Sequence, residues 1–180
     1  MTLKNFCFRK KISALIFLLF FSSTLSAQAT PKIIDQNFSP NYLIGAADLK
    51  FLMMKVYHIE LWSADQKFSY DKKFAIHIHY EMNFSKNDLA KKSIEEIKHS
   101  QNLSAEDEEK YFAQLIKIFR SVKKGDEKTA VFLPNQGLEM FYNDQLIGKI
   151  SDPKLAKLFV DIWLGEKSSH PTITKKLLSI

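Results

Sequence analysis

The sequence predicts an α+β fold in which an antiparallel sheet packs against helices. Two observations predict it. Several short segments alternate apolar with polar residues, which is typical of strands that have one buried face. These strand segments also come in blocks, in the order strands, two helices, three strands, two helices. Strand runs that are separated from helix runs favour an antiparallel sheet over a parallel α/β fold.

Residues 1–29 have the three-part layout of a secretory signal peptide. Basic residues precede an apolar run over residues 12–21, and small residues then lead to Ala29. The run of about ten residues is shorter than the roughly 20 that span a bilayer. We therefore expect cleavage after Ala29, or alternatively after Ala27, and a periplasmic or secreted protein without a stable membrane anchor. An uncleaved anchor is the alternative interpretation.

Removal of this segment changes the composition. The formal net charge falls from +6 to +2, because the segment holds four basic residues and no acidic ones. This small charge gives no reason to expect nucleic-acid binding. The only cysteine, Cys7, also lies there, so we expect a domain without disulfides or thiol chemistry. Residues 30–180 are enough for a single domain with one core, whose oligomeric state the sequence leaves open.

The predicted strands lie on both sides of the first helix pair. Residues 48–62, DLKFLMMKVYHIELW, are rich in apolar residues and predict two successive strands or one long bent strand. Residues 74–84 predict a strand with one dry and one polar face. Residues 32–38, KIIDQNF, suggest a short edge strand. Residues 129–151 predict a three-strand meander.

The helix predictions depend on capping residues. Ser85 and Ser104 each stand three positions before an aspartate, which resembles a capping box at the start of a helix. Apolar residues at helical spacing extend the second of these helices through Val122. Asp152 precedes a proline and predicts the start of a third helix, which Gly165 ends. A short helix closes the chain.

His77 and His79 are the most suggestive pair for metal chemistry. Two histidines on one strand face could bind zinc, with Glu81 or His58 as a third ligand. That face is also the expected solvent face of a one-sided sheet, and this interpretation is favoured, so we expect no metal. The sequence contains no nucleophile elbow, phosphate loop or dinucleotide fingerprint, and we expect no cofactor.

Aromatic residues are frequent, with 15 Phe, six Tyr and two Trp in the whole chain. Most of them are expected to fill the core, but some could line an apolar cavity. Such a cavity needs a few polar groups to orient a ligand. Lys50, Lys55 and Tyr57 are the candidate ligand-binding residues, because a buried tyrosine or lysine needs a partner.

Residues 43–62 and 124–165 together resemble the bacterial exported proteins of the chalcone isomerase-like family. The landmarks are Gly45, residues 55–57, Leu61, Trp62, residues 125–126, Gly137, residues 148–150, Asp152 and residues 162–165. The resemblance covers roughly residues 43–178. It implies a large antiparallel sheet with a layer of helices packed on one face, and a ligand cleft between the two layers. The relatives include plant enzymes that cyclise chalcones and non-catalytic fatty-acid-binding proteins.

The resemblance also bears on single residues. Tyr57 takes a strand position whose hydroxyl helps hold the ligand's polar group in these relatives. They also use an arginine earlier on the same hairpin, whereas Arg120 is the only arginine of residues 30–180. Lys50 stands near the place of the missing arginine, and an ammonium group is a point donor rather than a fork.

Three hypotheses about function follow. The first is an exported, non-enzymatic binding protein for a small apolar ligand such as a fatty acid. The second is an intramolecular lyase or isomerase in which Tyr57 and Lys50 stabilise an oxyanion. The third is an envelope interaction protein whose cleft is filled by its own side chains. The missing arginine and the aromatic hairpin favour the first.

Overall fold

A six-stranded antiparallel sheet is the central element of the computed structural model, which describes residues 30–180. The strands lie side by side in chain order, and each pairs with the next. They are β1 (Tyr42–Phe51), β2 (Met54–Ser63), β3 (Phe74–Tyr80), β4 (Glu127–Leu133), β5 (Gly137–Tyr142) and β6 (Gln145–Ile150).

Five helices accompany the sheet. They are α1 (Lys32–Asn37), α2 (Lys86–Ser100), α3 (Ala105–Ile118), α4 (Pro153–Leu164) and α5 (Pro171–Leu178). The chain leaves the sheet after β3, forms α2 and α3, and returns for the β4–β6 meander. The predicted α+β class is therefore confirmed, and from β1 onward the blocks follow the predicted order.

The capping residues act as the sequence predicts. Ser85 accepts a hydrogen bond from the Asp88 backbone N–H at the start of α2, and Ser104 does the same for Asp107 in α3. Asp152 accepts from two backbone N–H groups at the start of α4. These side chains satisfy N–H groups that a helix cannot pair internally.

The larger core lies between one sheet face and helices α2–α5. Alternate residues of the central strands, among them Ile59, Ile76 and Ala130, point towards the helices. Helix α4 is buried over most of its length, which agrees with its broad apolar face. This layer of helices positions the cavity that is described below.

Helix α1 corrects the edge-strand prediction for residues 32–38. It packs on the opposite face of the sheet, where Ile34 and Phe38 are buried in a second cluster with Trp62 and Phe141. Two neighbouring isoleucines suit a strand locally, but a single helical turn lets both bury their side chains against the sheet.

The end of α3 differs from the sequence prediction, and the structure decides between the two alternatives for residues 48–62. Helix α3 ends at Ile118 rather than continuing through Val122, because Val122 pairs with Phe84 in an isolated bridge. Residues 48–62 form two strands, and Leu52 and Met53 make the turn between them.

The signal-peptide prediction for residues 1–29 lies outside the described residues. Within residues 30–180, no helix is both long and apolar enough to span a membrane.

Candidate functional site

A cavity of about 540 Å³ lies between the sheet and helices α2 and α4, beside the β1–β2 hairpin. Its walls are mostly apolar and aromatic. The sheet contributes Leu49, Val56, Ile76, Ile78, Ala130 and Met140, and the helical side contributes Leu89, Phe119, Phe159, Ile162 and Trp163. Both its volume and its apolar lining are typical of a small-molecule site, for which volumes of roughly 300–1,000 Å³ are usual.

Lys128 is the buried cation of this cavity. It stands on the helix-facing side of β4, two residues before Ala130, and only 5% of it is exposed. Its ammonium group donates a hydrogen bond to the Arg120 carbonyl oxygen (2.8 Å) and lies 4.8 Å from the centre of the Phe119 ring. Burial lowers the pKa of Lys128 to about 8, because the apolar surroundings disfavour the charged form.

The Lys128 ammonium group lacks a counter-ion among the described residues. An ammonium group has three N–H donors, and the Arg120 carbonyl takes one of them. No carboxylate of residues 30–180 forms an ion pair with it, and the Asp126 carboxylate favours its charged form only from a longer distance. A buried charge without a partner is costly, so the geometry suits an anion that enters the cavity.

Two tyrosines line the same cavity next to Lys128. The Lys128 ammonium group lies 5.9 Å from the Tyr80 ring, which meets the Tyr57 ring edge-on at 6.2 Å. The Trp163 indole donates to the Tyr57 hydroxyl oxygen (2.9 Å), so the Tyr57 proton stays free for another acceptor. Burial raises the pKa of Tyr57 to about 12 and also raises that of Tyr80, which keeps both phenols neutral and able to donate.

The comparisons with known proteins agree with this two-layer architecture. The family model described as chalcone isomerase-like matches residues 25–179. This chain belongs to the chalcone isomerase-like family. A crystal structure of a fatty-acid-binding protein from Arabidopsis thaliana is similar, with a TM-score of 0.59 and 11% identity over 77% of this chain and 86% of that one. No curated protein sequence matches the chain.

In this chalcone isomerase-like chain, the three residues predicted to bind a ligand are not brought together. Tyr57 lines the cavity, whereas Lys50 and Lys55 do not. A β-bulge is the reason: Leu49 pairs with Tyr57 and Lys50 pairs with Lys55, which leaves Val56 as an extra residue in β2. The bulge turns Lys55 away from the cavity.

On its own side of the hairpin, Lys55 is engaged in an ion pair. Its ammonium group lies 2.9 Å from the Asp48 carboxylate, which also contacts His58 (2.7 Å). Lys50 is exposed beside Lys55. The oxyanion pair of Tyr57 and Lys50 that the lyase hypothesis requires is therefore not assembled in this cavity. The hypothesis of a filled cleft also disagrees with a cavity beside Tyr57.

The sheet face opposite the cavity carries His77 and His79. His77 is 3% exposed, not solvated as the sequence suggested, and its Nδ1 hydrogen-bonds to the Thr129 hydroxyl (2.9 Å). Burial lowers its pKa to about 4. His79 lies 3.4 Å from the Glu127 carboxylate. Residues 30–180 contain no group of three side chains placed to hold a metal ion.

Sequence reasoning missed Lys128 as a site residue. A signal for it was present, because Lys128, Ala130 and Phe132 share one face of a strand at period 2. A lysine on the same strand face as two buried apolar residues has two possible positions. Either an irregularity of the strand turns it outward, or it is buried and has a functional role. Here the strand is regular, and the lysine is buried.

Proposed function

We propose that this protein is a non-enzymatic binding protein for a small amphipathic carboxylic acid, such as a fatty acid. The observation that carries the proposal is the Lys128 ammonium group, buried at an apolar cavity without a protein counter-ion. A ligand carboxylate supplies that counter-ion, and a charge-assisted hydrogen bond to it is stronger than one to a neutral acceptor.

The two tyrosines complete the site for the head group. Tyr57 and Tyr80 are neutral donors that line the same cavity as Lys128, and a carboxylate has about four lone-pair sites to accept from them. Hydroxyl donors and one ammonium group together distinguish a carboxylate from an alcohol or an ester. Lys128 thereby takes the role that the sequence suggested for Lys50.

The apolar walls of the cavity bind the apolar part of the ligand. The cavity is lined mainly by aliphatic and aromatic side chains from both layers, and helix α2 adds charged and polar side chains, among them Lys92 and Glu96. Burial of an alkyl chain there is favourable by roughly 25 cal/mol for each Å² removed from water. The ligand is therefore expected to combine one carboxylate with a flexible or planar apolar body.

Trp163 provides a direct test, since it lines the cavity whereas Trp62 lies on the opposite sheet face. These are the two tryptophans of the chain. In a Trp62→Phe variant, titration with dodecanoate should change the emission of Trp163 with a saturable profile. Solvent extraction of the purified protein followed by mass spectrometry should release a carboxylic acid.

The matched control is Trp163→Phe, in which the remaining Trp62 should report no change on titration. A Trp62→Phe protein whose emission ignores every chain length of fatty acid, together with an empty extract, would remove the proposal.

We further propose that residues 1–29 direct export and are removed after Ala29. The basic start, the short apolar run and the small residues before Ala29 support this. The N-terminal residue of protein recovered from the envelope fraction of expressing bacteria tests it.

A further inference from the structure

The turn between β1 and β2 exposes four consecutive apolar side chains. The exposed fractions are 64% for Phe51, 78% for Leu52, 95% for Met53 and 53% for Met54. Single exposed apolar residues are common on protein surfaces, but a contiguous group marks a surface that meets another apolar phase. We call residues 51–54 the hairpin tip.

The stability of the hairpin does not explain these residues. Leu52 and Met53 have φ values of 44° and 69°, in the left-handed region that large side chains disfavour. The β5–β6 turn has nearly the same backbone, with φ values of 43° and 64°, and fills it with Asn143 and Asp144. Asparagine, aspartate and glycine suit this turn best. The hairpin tip therefore carries apolar bulk where folding alone favours small polar residues.

The hairpin tip stands at the entrance of the cavity. Phe51 is largely exposed, yet it also lines the cavity, as do Leu49 and Val56 just behind it. An apolar path consequently runs from the tip to the interior without a polar barrier from the hairpin itself.

Charge around the tip favours an anionic surface. Lys50, next to the tip in the chain, and Lys91, which lines the cavity, are exposed and form no ion pair with the described residues. Most carboxylates nearby are in ion pairs: Asp48 binds Lys55, and Glu95 and Glu96 both bind Lys92. Asp88 keeps its charge and accepts only from the neutral Ser85 hydroxyl. Apolar residues flanked by lysines are the usual composition of segments that lie in a lipid interface.

We propose that the hairpin tip inserts into the surface of an anionic lipid bilayer and opens the cavity towards it. The apolar side chains of residues 51–54 enter the interface, and Lys50 and Lys91 meet the lipid phosphates. The identity of the molecule that then passes between bilayer and cavity rests on the proposed function, whereas the docking itself does not.

The test is co-sedimentation of the purified protein, residues 30–180, with vesicles of phosphatidylcholine and phosphatidylglycerol. The wild-type protein should sediment with them, and less so with pure phosphatidylcholine vesicles or in high salt. Leu52→Asn combined with Met53→Gly should weaken vesicle binding by at least about tenfold, since two large apolar side chains no longer leave water. This double variant has the favoured turn sequence, so it should fold at least as well as the wild type.

Leu146→Asn is the matched control, because Leu146 is an apolar residue of β6, 52% exposed, that does not line the cavity. It should sediment like the wild type. Wild-type protein that stays in the supernatant, or a double variant that still sediments, overturns the proposal. So does a wild-type dimer that the double variant converts to a monomer, which would assign the tip to a second copy of the chain. The double variant should still bind dodecanoate in solution, so failure of docking and failure of ligand binding are distinguishable.

Discussion

Lys128 carries an ammonium group whose environment changes strongly on folding. In the unfolded chain it titrates near the ordinary lysine value, whereas in the folded protein burial lowers its pKa to about 8. This difference corresponds to a cost of roughly 3 kcal/mol in the free energy of folding wherever the group is charged in both states. The full cost applies below about pH 8 and disappears as the pH rises from there to the unfolded pKa near 10.5.

Replacement of Lys128 by methionine should therefore stabilise the ligand-free protein. The free energy of unfolding near neutral pH is expected to rise by roughly 1–3 kcal/mol, because an apolar side chain of similar length fits the site without a desolvation cost. Denaturant unfolding measures it, and the gain should shrink above about pH 8. The variant should also lose most of its affinity for dodecanoate.

Lys149→Met is the control, since the Lys149 side chain is 58% exposed and forms a surface ion pair with Glu139. Its stability should change by less than about 0.5 kcal/mol. A Lys128→Met protein that is less stable than the wild type and still binds dodecanoate would argue against a ligand role for the lysine.

In the β1–β2 hairpin, the alternation of residues along the sequence does not predict which face of the sheet each side chain occupies. Period-2 counting places Lys55 and Tyr57 on one face of a regular strand. The bulge at Val56 breaks the count, so the two side chains point to opposite faces. Nothing in the local sequence marks that bulge, because it depends on how β2 pairs with its neighbours.

The sequence predictions for helix α1 and for the end of α3 are wrong for related reasons. Six residues with two isoleucines are compatible with either a strand or a helix, and the free sheet face beside Trp62 decides in favour of a helix. In α3 the apolar spacing continues through Val122, but the bridge to Phe84 ends the helix four residues earlier. The capped helix starts were predictable, because a capping side chain acts within one turn of its own backbone.

Ile34→Ala tests whether α1 supports the sheet without touching the site. Ile34 is fully buried on the face opposite the cavity, so its truncation should lower the free energy of unfolding by roughly 2–4 kcal/mol. Affinity for dodecanoate should stay unchanged at temperatures where the variant is folded. Gln36→Ala, on the exposed side of α1, should leave both quantities as in the wild type. An altered ligand affinity in Ile34→Ala would show that the two faces of the sheet are coupled.

The whole molecule consists of a sheet, a helical layer that covers one face incompletely, and one short helix on the other face. The order of the elements made the layer architecture predictable from the sequence. The cavity was not predictable from the residues alone, since a filled and an unfilled interface differ only in the sum of side-chain volumes and in how the helices lie. The resemblance to the chalcone isomerase-like family supplied that expectation, and the cavity beside Tyr57 agrees with it.

The most direct measurement of the central claim is the affinity for dodecanoate and for dodecanol between about pH 7 and about pH 10, in wild-type protein and in Lys128→Met. The carboxylate stays ionised throughout, so a change in its affinity reports a group of the protein. Wild-type affinity for dodecanoate should be constant up to about pH 8, where Lys128 is charged, and should then fall about tenfold for each pH unit. Dodecanol binding, and all binding by Lys128→Met, should not fall in this way. A wild-type dodecanoate affinity that stays flat to about pH 10, or that falls equally in Lys128→Met, would contradict the assignment of Lys128 as the counter-ion of the ligand.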